Sequence, residues 1–373
     1  MKIAFTLPQL EPYSPRGLAL STIVHEVSRQ LVLQGHSVMV FTITDPLGVY
    51  PEPTVVQVPG AHSWSRVSRK LARLVRRPTR TVEDRWRRAV AESIAAHRER
   101  IDVVVSMNDV EIHREIARVA PATARVPWLQ NELGDEASIA AAIRSVDQVL
   151  CCSQFIAQTV ARRAGGIRTA VVHSGVNTDE FQADALPNPG ARPRLLFVGR
   201  LDPNKGPDAL VAAATAAAAR GITSSVTVAG PPISYSLVGL RYDDWLDRLM
   251  KDLGAIGGRF VGRVERHDLP ALYHEHDATF VLSRADEPFG LVALEAMASG
   301  NLVVTSGRGG LVEATGGHAI EVDPDDVSAI TRVIDQLAHN DQGLEDRRLA
   351  GARWASTRDW SLVATELVSA LEP

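Results

Sequence analysis

Two carboxylates, Glu287 and Glu295, stand eight residues apart in the stretch Ser283–Ser306, SRADEPFGLVALEAMASGNLVVTS. Pro288, Phe289 and Gly290 follow the first of them and mark a turn. The residues after the turn read as one short amphipathic helix from about Leu291 to Ser299. Gly300 sits where a left-handed C-cap is wanted, and Leu302, Val303 and Val304 open a buried strand. Glu287 then lies in the loop at the helix mouth. Glu295 lies about one turn inside, roughly 6 Å further along the axis at about 1.5 Å rise per residue. Between them are the unpaired N–H groups of the helix start, where donors and dipole both favour an anionic phosphate. One ligand with a diphosphate in its middle could touch all three, with Glu287 at one end and Glu295 accepting hydrogen bonds from hydroxyls at the other. A nucleotide sugar has that layout. The same acids also fit a plainer role, Glu287 as a helix cap and Glu295 as a solvated surface acid.

The run E-P-F-G-L-V-A-L-E-A-M-A-S-G resembles the E-x7-E segment of family-4 retaining glycosyltransferases, which have the two-domain GT-B fold. The resemblance implies an α/β chain of two Rossmann-like, doubly wound domains facing each other across a cleft. It implies a donor site that includes Phe289, Gly290 and Leu291. It also implies transfer of a hexose or amino-hexose from a nucleoside diphosphate sugar to an acceptor hydroxyl, in natural-product or cell-envelope glycan biosynthesis. A UDP-linked donor is the first expectation and a GDP-linked one the alternative.

The whole chain is compatible with this. Its 373 residues suffice for two domains with separate cores. With 45% hydrophobic and 23% charged residues it is globular rather than disordered. A net charge of −4 argues against a nucleic-acid binder. No apolar run approaches the roughly 20 residues of a membrane span. The N-terminus MKIAFTLPQ is cut by Pro8 and reads as a first strand rather than a signal peptide. The adjacent Cys151 and Cys152 read as buried free thiols, and the chain as cytoplasmic.

In the N-terminal half, Lys2–Leu7 and Ser37–Ile43 are strands joined through a helix ending at Gly35, a unit that builds a parallel sheet. The loop Pro8–Leu18 follows the first strand at its carboxyl end, where such sheets bind ligands. Gly17 in that loop is a candidate donor contact or a simple turn glycine; the family has Gly-Gly where this chain has Arg16-Gly17. Residues 64–88 carry Arg66, Arg69, Lys70, Arg73, Arg76, Arg77, Arg80, Arg85, Arg87 and Arg88 among Trp64, Leu71, Leu74 and Trp86. Such a segment suits a solvated face over the core, a peripheral contact with a membrane or lipid-linked acceptor, or an acidic partner. Asn108 and Asp109 follow the strand Ile101–Ser106. Asn131 and Glu132 follow the strand Val126–Gln130. These four are the acceptor-site candidates, with helix capping as the alternative for Asp109 and Asp135.

Ala183–Pro193 (ADALPNPGARP) reads as the linker between an acceptor-binding domain (1–183) and a donor-binding domain (184–355). Arg194–Gly199 is a fresh strand. It runs into Arg200-Leu-Asp-Pro-Asn-Lys205-Gly206, which is similar to the family's V-G-R-L-x-x-x-K-G pattern. Arg200 offers a planar fork and Lys205 a compact charge for a diphosphate. The resemblance further implies donor contacts at Arg263, Val264 and Gly310, the last in a G-G-L-x-E loop. Asp323-Pro324-Asp325 reads as cap and turn rather than a metal motif, and no cofactor or metal is expected. The tail Leu344–Leu371 reads as helical, with 356–373 returning to the first domain and Trp354, Trp360, Leu362 and Leu367 as its buried face. The expected roles are then Arg200 and Lys205 on the leaving diphosphate, Glu287 on the donor sugar and Glu295 on the ribose. A nucleotide-sugar 2-epimerase of the same fold, or a silent nucleotide-sugar-binding subunit, are the alternatives.

Overall fold

The computed structural model describes residues 1–15, 17–45, 48–59, 82–132, 142–143, 145–182, 192–233 and 241–372. Arg16, Gly134, Asp135, most of the expected linker (183–191) and the 64–81 part of the basic segment lie outside the described residues. The chain divides into two compact units, Met1–His173 with Trp360–Pro373, and Ser174–Asp359.

In the first unit, β1 Lys2–Thr6, β2 Ser37–Ile43, β3 Thr54–Val58, β4 Val103–Met107, β5 Ala124–Leu129, β6 Val149–Cys151 and β7 Thr169–Val171 form one sheet. Its order is β3-β2-β1-β4-β5-β6-β7, with every described pairing parallel. β1 is central: Ile3 pairs with Val38 on one side and Val103 on the other. A strand covered on both faces needs apolar residues at successive positions, which is why these segments read as unbroken apolar runs. Met39, Phe41 and Ile43 face one way at period two. They pack with Trp86, Val90 and Ile94 of α2 (Val82–Ala96) and Ile112 and Ile116 of α3 (Ile112–Val119). Val38 and Val40, which alternate with them, are buried as well. α1 (Ala19–Leu33) packs against the C-terminal helix, and Gln34 Nε2 donates to Ser361 O at 2.9 Å. α4 (Gln154–Arg163) is capped by Ser153.

The second unit holds β8 Arg194–Val198, β9 Ser225–Ala229, β10 Arg259–Gly262, β11 Ala278–Val281, β12 Leu302–Thr305 and β13 Ile320–Glu321. They are ordered β10-β9-β8-β11-β12-β13, again parallel. Its helices are α5 Thr178–Phe181, α6 Pro207–Ala218, α7 Arg241–Ala255, α8 Leu269–His274, α9 Leu291–Ala298, α10 Leu311–Thr315, α11 Val327–Ala338 and α12 Gln342–Ser356. Leu195 and Phe197 of β8, Phe280 of β11 and Val304 of β12 share a core with Leu210 of α6 and Ile334 of α11. The strand order reverses between β8 and β11, so the loops after these two strands lie at a switch point of the kind where such sheets bind ligands.

Several details depart from expectation. β3 lies between Pro-rich turns and is half-exposed, so no strand is evident there in the sequence. The helical tail is divided: α12 ends at Ser356, and α13 runs Trp360–Leu371. The break is used by tertiary bonds, since Arg358 O accepts from Val176 N at 3.0 Å and Asp359 Oδ2 from Thr178 Oγ1 at 2.9 Å. Leu362 is 40% exposed rather than buried, and Val363 and Ala364 take its place. In the described end of the basic segment Trp86 is core, and Arg87 is held by Asp84, Asp109 and Glu111. No described helix is long and apolar enough to cross a membrane. Cys151 and Cys152 are free and buried, and burial pushes the Cys151 thiol up to about 12.

Candidate functional site

The second unit gathers its chemistry on the loops after β8, β11 and β12. After β8 the Asp202 carboxylate accepts from Asn204 N at 2.9 Å, capping a 3-10 turn over Pro203–Lys205. Gly206 then takes φ 70°, and a Cβ there would collide with Leu282 O. Only glycine fits that approach, so Lys205 leaves a stiff turn. Its Nζ donates to Glu287 Oε1 at 2.5 Å. The Ser283 hydroxyl donates to the same oxygen. Glu287 is largely covered, and Lys205 keeps about a third of its side chain in solvent.

The loop after β12 clamps the turn that carries Glu287. Glu287 and Gly309 form a parallel bridge, and Gly310 N donates to Glu287 O at 2.6 Å. A Cβ on Gly309 or Gly310 would strike the backbone of Glu287 or Pro288. Phe289 is buried, and Gly290 at φ 123° starts α9. Ala293 N and Leu294 N bond to Gly290 O. The Leu291 and Val292 N–H groups have no acceptor among the described residues, as the geometry of a first helical turn dictates. α9 ends at Ala298, and Gly300 follows at φ 75°.

Glu295, on the second turn, is 4% exposed. Arg266 Nη1 donates to its Oε1 at 2.8 Å and Tyr273 Oη to its Oε2 at 3.3 Å. Arg266 also lies over the Phe181 ring, 5.6 Å from its centroid. Burial, and then the Glu295 charge, push the Tyr273 phenol well above the ordinary tyrosine range, so it stays a donor. Glu295 is therefore an oriented, buried acid rather than a solvated one. Arg266, Tyr273 and Ser283 were not singled out in the sequence. Their partners stand 29, 22 and 4 residues away, and no local pattern connects the two distant pairs to Glu295.

Other expected donor residues lie on the loops after β8 and β10. Arg200 is exposed and pairs with no described residue. Arg263, at the end of β10, is exposed and lies 3.6 Å from Glu265, and Val264 is half-buried. Asp325 accepts from Arg284 Nε at 2.8 Å, and Asp326 caps α11. His274 and His276 each donate to a backbone carbonyl. Among the described residues no three His, Cys, Asp or Glu side chains are grouped as a metal would need.

In the first unit Gly17 is half-buried with an ordinary negative φ. It is required by contact, since a Cβ would overlap Ser21 and Pro12 O. Ser21 N in turn donates to the buried Glu11, whose carboxyl is raised by that burial. Asn108 takes φ 57° and its Oδ1 accepts from Gln130 N at 2.6 Å. Asp109 caps α3 through Ile112 N and accepts both bonds of the Arg87 Nε fork at 2.9 and 3.0 Å. Asn131 and Glu132 are exposed, with Glu132 3.6 Å from Arg163. The Asn108–Gln130 bond sets the end of β4 beside the residues that carry Asn131 and Glu132. Asn108 and Asp109 are bonded to their own unit. His113 is fully buried against Ser106 Oγ at 2.7 Å, and desolvation pushes it down to about 3.

Comparison with known proteins bears on these loops. Residues 178–353 match the family of group 1 glycosyl transferases, and residues 20–180 match glycosyltransferase family 4. The chain is 32% identical to the glycogen synthase of Mycobacterium tuberculosis over 233 residues, 60% of this chain and 53% of that protein, so the match spans about half of that relative. Sucrose-phosphate synthase from Thermosynechococcus elongatus superimposes with a TM-score of 0.75 at 18% identity, over 99% of this chain and 98% of that one. Anabaena HepE in complex with UDP and glucose superimposes with a TM-score of 0.71 at 17% identity, over 100% and 99%. The two parallel, doubly wound sheets are those of the GT-B fold, and the chain belongs to the group 1, family-4 glycosyltransferases.

Proposed function

We propose that this protein transfers a sugar from a nucleoside diphosphate sugar, UDP-linked, to an acceptor hydroxyl with retention of configuration and without a metal ion. The observation that carries it is the Lys205–Glu287 pair at the open mouth of α9. The half-exposed Lys205 ammonium and the Leu291 and Val292 N–H groups offer fixed positive charge to a departing diphosphate. Preorganised charge of this kind is usually the largest catalytic contribution. Arg200, exposed beside that turn, is a second cation for the same group. Glu287 orients the donor sugar through its hydroxyls. Glu295, held by Arg266 and Tyr273, keeps lone pairs for the ribose.

In the transfer, the bond from the anomeric carbon to the diphosphate oxygen breaks. The acceptor oxygen bonds to the same face, and its proton leaves on the nucleoside diphosphate. Glu287 serves to orient the sugar rather than as a covalent nucleophile, with Lys205 and Ser283 both holding its Oε1. The acceptor is a small-molecule or lipid-linked hydroxyl of the kind used in natural-product or envelope glycan synthesis. The Anabaena relative's complex with UDP and glucose supports uridine as the donor base.

A second reading rests on Asn108 and Asp109, whose side chains are committed to their own unit. A silent subunit that binds the donor for a partner would show that pattern. Proton NMR of α-linked UDP-sugars incubated with an acceptor panel in EDTA separates the two. An α-glycoside product is expected. A β-product contradicts retention, and donor binding without turnover across the panel favours the silent subunit.

A further inference from the structure

Arg284 sits between Ser283 and Glu287 on the loop after β11, and it is bonded to every neighbouring loop at that end of the sheet. Its N–H donates to Asn204 O at 2.7 Å and its Nη1 to Pro203 O at 2.6 Å. Both acceptors belong to the turn that ends in Lys205. The guanidinium forks onto Asp208 in the first turn of α6, at 3.0 and 2.9 Å. Its Nε reaches Asp325, before α11, at 2.8 Å. Its carbonyl accepts from Arg308 Nη1, in the glycine loop, at 2.7 Å. One side chain therefore joins the loop carrying Glu287 to the turn carrying Lys205, and both to the helix starts behind them.

We infer that Arg284 is a positioning residue that sets Lys205 against Glu287 and so builds the diphosphate grip; this rests on the donor-site reading above. Lys205 and Glu287 come from strands that are neighbours in the sheet but far apart in sequence, and their ion pair alone spans two loops. A flexible lysine stem does not fix an ammonium to the tolerance that catalysis needs, where about 1 Å of misplacement can cost 100-fold. Four hydrogen bonds through a planar, rigid fork can. Arg284 does not itself need to touch the donor. The two acids that hold it, Asp208 and Asp325, neutralise its charge, so it acts through geometry rather than as another cation for phosphate.

The test separates grip from stability. Calorimetry with UDP and UMP, in EDTA and well below each variant's melting temperature, gives the affinity gained from the second phosphate. Wild type is expected to prefer UDP by tenfold or more, and Lys205→Ala to lose most of that ratio. Arg284→Lys keeps the charge but not the fork, and Arg284→Met removes both. Each should cut the ratio at least threefold while the affinity for UMP stays within twofold. A ratio equal to wild type in folded Arg284→Lys and Arg284→Met, with Lys205→Ala still deficient, overturns the positioning role alone. A purely structural arginine would give that result together with a lowered melting temperature. No UDP preference in wild type, or none lost in Lys205→Ala, overturns the donor-site reading and this inference with it.

Discussion

Replacing Arg266 by methionine leaves Glu295 buried with one partner in place of two. In the native protein Arg266 Nη1 lies 2.8 Å from Glu295 Oε1, and Glu295 is 4% exposed. Breaking a buried ion pair by removing one member costs about 3–5 kcal/mol. Two features lower that here. Tyr273 still donates to Oε2 at 3.3 Å, and the Arg266 side chain is 22% exposed, so water screens part of the interaction. About 2 kcal/mol remains, which lowers the melting temperature of a unit this size by about 4–8 °C. Removing both charges, Arg266→Met with Glu295→Leu, takes away the stranded carboxylate. The double variant should therefore regain at least about 1 kcal/mol over the sum of the singles. Urea denaturation of the four proteins, followed by circular dichroism, measures the cycle. A single variant within about 0.5 kcal/mol of wild type, or strictly additive singles, refutes a coupled buried pair.

Glu287→Gln should leave UDP affinity within about threefold while lowering turnover by about 100-fold or more, as expected for a group that acts on the sugar rather than the diphosphate; steady-state UDP release reads both. Gly309→Ala forces a Cβ into the Glu287 backbone at φ 64°, so a lowered melting temperature and weakened UDP binding should appear together in scanning fluorimetry and calorimetry. His113, pushed by burial down to about 3 from the ordinary imidazole value of 6.5, stays neutral in the fold, while the unfolded chain takes up its proton between those values. Its contribution is thus complete above pH 6.5 and is lost as pH falls, about 2 kcal/mol between about pH 7 and 5. His113→Phe should flatten that part of the urea-midpoint profile, and an unchanged profile would show that the ring is not desolvated.

The parts of this architecture that local chemistry encodes were legible from residues alone. Strands buried on both faces, such as KIAFT and SVMVFTI, show themselves as unbroken apolar runs. Gly300 takes the left-handed angle that its place after the helix requires, and α9 starts at Leu291 where the Pro-Phe-Gly turn ends. What stayed hidden depends on partners remote in sequence. Arg266 becomes informative only when the fold sets it against Glu295. The break at Thr357–Asp359 follows from bonds to Val176 and Thr178, which no helical periodicity records. Once that break exists, α13 starts in a new phase, and Leu362 turns outward while Val363 turns in. Asn108 and Asp109 looked like open polar groups because their partners, Gln130 and Arg87, lie 22 residues away in the sequence in each case.

Calorimetric titration of UDP and GDP into wild type and Lys205→Ala, in EDTA, bears on whether the loops after β8 and β11 form a metal-independent diphosphate site. Such a site should bind UDP in wild type without a divalent ion, more tightly than GDP, and Lys205→Ala should lose about 1–3 kcal/mol of that affinity. UDP binding that appears only when magnesium or manganese is added, or that is the same in Lys205→Ala, would contradict it.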